Sequence, residues 1–128
     1  MLPFSVTFQT GRSVHEQVVY AVKKAIVTGR MQPGDMFPSV RALSHDLKIN
    51  PNTAHKIVTT LVHEALLEVK PGIGTLVANA SPATMTQRSA LLEDNLEQLV
   101  VEAKRLSLEL KDLLDAVKDH WNGLKKAR

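Results

Sequence analysis

Residues 38–62 read PSVRALSHDLKINPNTAHKIVTTLV, and the fold turns on how this stretch divides. Ser39 offers its hydroxyl to first-turn amides just after Pro38, so a short helix starts there, with Val40, Leu43 and Leu47 on its inner side. It closes near Lys48-Ile49. Asn50-Pro51-Asn52-Thr53 then has the form of an N-cap followed by proline at the first helical position, where the missing N–H costs nothing. A further helix over residues 51–65 buries Ile57, Val58, Leu61 and Val62 and turns Asn52, Thr53, His55, Lys56 and Thr59 outward.

Working outward, Ser13-Val14-His15-Glu16 has the pattern of a capping box, and Val14, Val18, Val22 and Ile26 form a single stripe behind it. Gly29 supplies a left-handed stop, so a first helix spans residues 14–28. Arg30 to Pro38, punctuated by Pro33-Gly34, reads as a loop. On the other side, Leu66-Leu67-Glu68-Val69 and Thr75-Leu76-Val77-Ala78 are β-prone runs flanking Lys70-Pro71-Gly72-Ile73-Gly74, which predicts a hairpin. Helix, short helix, helix and hairpin in this order make a mainly α winged helix-turn-helix with a small β-hairpin, assigned to residues 1–80.

The polar stretch Ser81 to Ala83 marks a boundary, and residues 81–128 read as a C-terminal helical dimerisation arm. Apolar residues fall at Leu92, Leu96, Leu99, Ala103, Leu106, Leu110, Leu113 and Val117, alternating four and three apart and continuing past His120 to Leu124. Leu91, Val100, Leu108 and Leu114 widen the stripe. Burying a leucine is worth roughly 1.5–3 kcal/mol, so such an arm is expected to find a second surface, and the economical one is another copy of itself. Ser107 leaves open whether the arm is one long helix or two, the second capped by Ser107 and running from Leu108 to about His120.

Composition narrows the function. At 128 residues the chain has no room for a barrel or a dinucleotide-binding enzyme. Only five aromatic side chains are present, too few for a ladder of base-stacking platforms, and no cysteine is available for a disulfide, thiolate or nucleophile. The histidines are never three or four apart, the helical carboxylates mostly interleave with Lys and Arg, and no phosphate-binding glycine loop or nucleophile-base pairing appears. Neither enzyme, metal site nor cofactor is therefore expected. Residues 1–80 hold eight Lys and Arg against five acids, whereas residues 81–128 hold eight of each sign, so the cationic excess lies in the first part. With no basic leader before an apolar run and no membrane-length apolar run, a cytoplasmic protein is expected.

The helix over 51–65 is the candidate reader of double-stranded DNA. Its N-terminal turn directs amides and the positive end of the helix dipole at a phosphate, and Asn50, Asn52, Thr53, His55 and Lys56 lie where base edges and phosphates would be met. Arg41 is the best single candidate for a bidentate guanine contact or a phosphate clamp. Gly72 and Gly74 allow the hairpin close to a backbone with Lys70 beside them, although glycines there serve turn chemistry equally well. An interaction adaptor with a coiled-coil tail and a non-specific architectural binder are the competing readings.

Residues 13–78 resemble the DNA-binding domain of the GntR family of bacterial transcription regulators. The resemblance runs through Gly29-Arg30-Met31-Gln32-Pro33-Gly34-Asp35, Pro38-Ser39-Val40-Arg41-Ala42-Leu43, Asn50-Pro51-Asn52-Thr53-Ala54 and Gly72-Ile73-Gly74-Thr75, and the short leucine-rich tail is similar to the YtrA-type subfamily. It implies a homodimeric regulator, usually a repressor, on an inverted repeat, with Arg41, Asn52, Thr53 and His55 contacting the operator and Gly72 and Gly74 near the minor groove. Many relatives carry Arg at the His55 position, basic residues at Pro71 and Ile73, and glycine at Ala65, so binding weaker or more pH-sensitive than usual, and strain at Ala65 if it needs positive φ, are expected. The tail is too small to enclose a small-molecule effector within one subunit, leaving a crevice between subunits as its place.

Overall fold

A computed structural model of the chain describes residues 2–125; Met1 and the last three residues of the 81–128 arm lie outside the described residues. Residues up to Ala80 form one compact unit and Ser81–Leu124 another.

The first unit contains α1 (Val14–Val27), α2 (Val40–Leu47), α3 (Pro51–His63) and the antiparallel pair β1 (Leu67–Lys70) and β2 (Gly74–Val77). Each helix starts where the sequence places its cap. Ser13 accepts from the Glu16 N–H at 3.3 Å, Ser39 from the Ala42 N–H at 3.1 Å, and Asn50 Oδ1 from the Asn52 N–H at 2.8 Å. The stripes then meet in one core, where Val18, Val22, Leu43, Ile57 and Leu61 are fully buried and Val14, Ile26, Val40, Leu47, Val58 and Val62 pack against them. α3 packs on α1, α2 and β1, which fixes the axis of the outward-facing helix.

Three features depart from the sequence reading. Both strands sit one residue nearer the turn than expected, with the pairing of Leu67 with Val77 through Val69 with Thr75 kept and Lys70 with Gly74 added, while the Leu66 N–H closes the end of α3 on the Leu61 carbonyl at 2.9 Å. The segment read as a loop before Pro38 instead pairs along the free edge of β2, with the Phe37 N–H on the Thr75 carbonyl at 2.8 Å and the Val77 N–H on the Asp35 carbonyl at 2.9 Å. Lastly, the N-terminal segment enters the core: Phe4 is 3% exposed and stacks on Phe37 with ring centroids 6.1 Å apart. Arg30 Nη1 donates to Ser5 Oγ at 2.8 Å, and Gln17 holds Gln9 by exchanging hydrogen bonds with its backbone.

In the second unit α4 (Met85–Ser89) runs through a π-helical turn (Ala90–Asn95) into α5 (Leu96–Arg105), and α6 (Leu110–Gly123) follows. Thr84 and Gln87 form a reciprocal capping box at the start, both bonds 3.0 Å. The arm is thus two helices. Ser107 does not cap the second; it ends the first, with φ +61 and a Schellman closure made by Leu108 N–H to the Ala103 carbonyl and Ser107 N–H to the Lys104 carbonyl. Glu109 occupies the N-cap of α6, its N–H bonded to Asp112 Oδ2 at 3.0 Å. The four-repeat leucine stripe is therefore cut at Leu106, and Ala103, read as part of it, is 7% exposed within the single chain. Its other members are half-buried or exposed.

Candidate functional site

The helix pair α2 and α3 carries most of the proposed reading residues on exposed positions. Arg41 is the second residue of α2 and lies exposed, two residues after the Ser39 cap. Asn52, His55 and Lys56 are exposed on the first two turns of α3, while Thr53 is half-buried. Opposite them Ala54, Ile57 and Leu61 are fully buried, which orients the polar face rigidly outward. Further along, His15 Nε2 and Thr60 Oγ1 lie 2.8 Å apart and Lys23 meets Glu64 at 3.0 Å, tying the C-terminal half of α3 to α1.

The anion-binding turn at the start of α3 is smaller than its sequence suggests. Pro51 has no N–H, and the Asn52 N–H is taken by Asn50 Oδ1, so the turn offers chiefly the Thr53 amide. Asn50 accordingly acts first as a cap; its NH2 group is what it can turn toward a ligand.

The hairpin shows the turn geometry of its glycines. The Ile73 N–H closes on the Lys70 carbonyl at 3.0 Å around Pro71 and Gly72, and Gly72 has φ +79, the form of a type II turn with proline and glycine at its two central positions. Gly72 thus does turn work. Gly74, at φ +131, holds a backbone conformation that side-chain-bearing residues rarely adopt, and the flexible Met36 methyl lies 3.0 Å from where a Cβ would stand. Lys70 is exposed but shared with Glu68, Nζ to Oε1 3.8 Å.

Sequence reasoning missed Phe4, Met31 and Phe37 as the anchors beneath this surface; none belongs to a periodic run. The left-handed conformation expected of Ala65 is present, at φ +62. Among the described residues no cluster of three or more His, Asp or Glu is arranged to hold a metal ion, and no helix is long and apolar enough to cross a membrane.

The family model for bacterial regulatory proteins of the gntR family matches residues 14–77, the span from the start of α1 to the end of β2. The chain belongs to this family. It is 31% identical over 107 residues to the HTH-type transcriptional repressor YtrA of Bacillus subtilis, covering 83% of this chain and 82% of that protein. Within the gntR family it is of the YtrA type. The crystal structure of a transcriptional antiterminator from Listeria monocytogenes has the same fold, with a TM-score of 0.84 at 20% identity, over 97% of this chain and 93% of that one. The DNA-binding domain of AraR, solved in complex with an operator, matches at TM-score 0.50 and 28% identity, over 58% of this chain and 95% of that one. The chain is a DNA-binding transcription regulator with a winged-helix fold, and its family and relatives are regulators, not enzymes.

Proposed function

We propose that this gntR-family protein is a cytoplasmic homodimeric repressor that reads an inverted-repeat operator in double-stranded DNA. The observation that carries the reading is the exposed polar face of α3, with Arg41 beside it, on a helix whose opposite face is fully buried. Such a helix enters the major groove as a rigid body, with Asn52, Thr53 and His55 toward base edges and Arg41 and Lys56 toward guanine or phosphate. Asn50 and Lys70 add polar contacts at the margins, and Gly72 and Gly74 hold the shape of the wing. The name of the YtrA relative supports repression, and the exposed leucines of α5 and α6 support self-association.

A homodimer places two readers one helical turn apart, roughly 34 Å, so each operator half-site is one major groove away from its mate. Footprinting the DNA upstream of the protein's own gene tests this: a protected palindrome whose half-sites are about ten base pairs apart is expected. Arg41→Ala is expected to weaken binding by about 1–3 kcal/mol and to flatten its salt dependence, because a charge-assisted contact is removed. Wild-type binding by that variant across salt concentrations would take Arg41 out of the interface. Retardation indifferent to sequence would favour an architectural binder, and none at physiological salt would favour an interaction adaptor.

A further inference from the structure

The wing is built unlike a phosphate clamp. Its cation, Lys70, shares its charge with Glu68 on the same strand, and the side chain at the tip is not basic but Ile73. Ile73 is 62% exposed, held out by the tight Pro71-Gly72 turn whose closing bond is made by its own N–H. Behind it Met36 is 56% exposed, its methyl lying over Gly74 on the edge segment that pairs with β2. Proline and isoleucine therefore form the tip of the hairpin, with methionine beside Gly74 on the edge segment.

We propose that Ile73, backed by Met36, is an apolar wedge that enters the minor groove beside the recognition site and selects DNA by its deformability. This rests on the reading of the protein as an operator-binding regulator. Two magnitudes favour DNA over a protein as the occupant. A stable protein interface takes about 20–30 residues a side, far more than the exposed Met36, Val69 and Ile73 and the turn proline at this end of the hairpin. The minor groove, about 6 Å wide and walled by sugars, accepts a single side chain, and isoleucine, methionine and proline are among the residues that open base steps there. The wing is also continuous with the DNA-binding segment, since the family match runs through β2. A wedge reads no donor or acceptor pattern. It gains where the step beneath it opens easily, so the preferred sites carry a flexible pyrimidine–purine step under each wing.

The test selects duplexes from a random pool with the full chain, then measures affinity, salt dependence and bend angle on the enriched duplex for wild type, Ile73→Ala, Ile73→Leu and Met36→Ala. Ile73→Ala is expected to lose about tenfold in affinity with an unchanged salt slope, to bend the duplex less, and to drop the preference for the flexible step. Ile73→Leu is expected to keep all three, and Met36→Ala to lose part of them. All replaced side chains are more than half exposed, so folding is preserved. If Ile73→Ala binds and bends like wild type, the wedge is refuted while the regulator reading stands. If it leaves DNA binding intact but changes self-association in sedimentation, the tip serves protein contact and the proposal fails. If wild type enriches no duplex, the underlying DNA-binding reading itself falls.

Discussion

Three side chains sit where glycine is the natural choice: Lys48 at φ 55, Ala65 at φ 62 and Ser107 at φ 61. Each closes a helix by the same pair of backbone bonds, and at α3 these run from the Ala65 N–H to the Val62 carbonyl and from the Leu66 N–H to the Leu61 carbonyl. A left-handed L-residue costs about 1–2 kcal/mol, and glycine gives back about 0.4–1 through its freer unfolded chain. Ala65→Gly is therefore expected to stabilise by about 0.5–1 kcal/mol, visible as a higher urea midpoint with an unchanged slope. The opposite sign holds at Phe4. Removing that ring leaves a cavity against Phe37, and Phe4→Ala is expected to cost about 3–5 kcal/mol in the same titration. Ala65 was legible because its neighbourhood resembles a family with glycine there, whereas Phe4 was not, since one aromatic in a non-periodic segment carries no signal of its burial.

The elements that the sequence made legible are those whose partners lie within a few residues. Ser39 and Asn50 announce α2 and α3 because a cap bonds its own first turn, and the stripes of α1 and α3 announce a core because helical periodicity is local. The edge segment around Met36 and Phe37 depends on β2, some forty residues on, and is not written in local pattern, whereas the hairpin pairing is, because its two runs flank one short turn. At the candidate site the same division holds: Arg41, Asn52 and His55 stand exposed as read, but the number of amides left for a phosphate needed the Asn50 side chain to be placed. Asn50→Ala should thus act on the element before it acts on a ligand. Loss of the cap is expected to cost about 1 kcal/mol of stability in thermal or urea unfolding, while Asn50→Ser or Asn50→Asp retains most of it.

At the scale of the whole molecule, the proposed homodimer gives the arm control over how tightly the protein holds DNA. Leu92, Leu96 and Leu99 on its first helical run, Leu106 at the break, and Leu110, Leu114, Val117 and Trp121 on α6 are all exposed in the single chain, a face too apolar to stay solvated. In the proposed homodimer the break at Ser107 gives a second copy two short apolar faces to meet instead of one continuous seam, so pairing would depend on both helices. Leu99→Glu combined with Leu106→Glu puts four carboxylates into a two-chain interface without touching the core of either copy, since these leucines are 47% and 55% exposed. Helical content by circular dichroism is expected to stay the same while light scattering reports monomers. Operator binding is expected to weaken by roughly 10²–10⁴, because a tethered second reader finds its half-site at a millimolar effective concentration and a monomer does not. A single half-site should feel no such loss, since each reader is intact. A dimer that survives both charges, or equal losses on half-site and full operator, would move the self-association surface off these leucines.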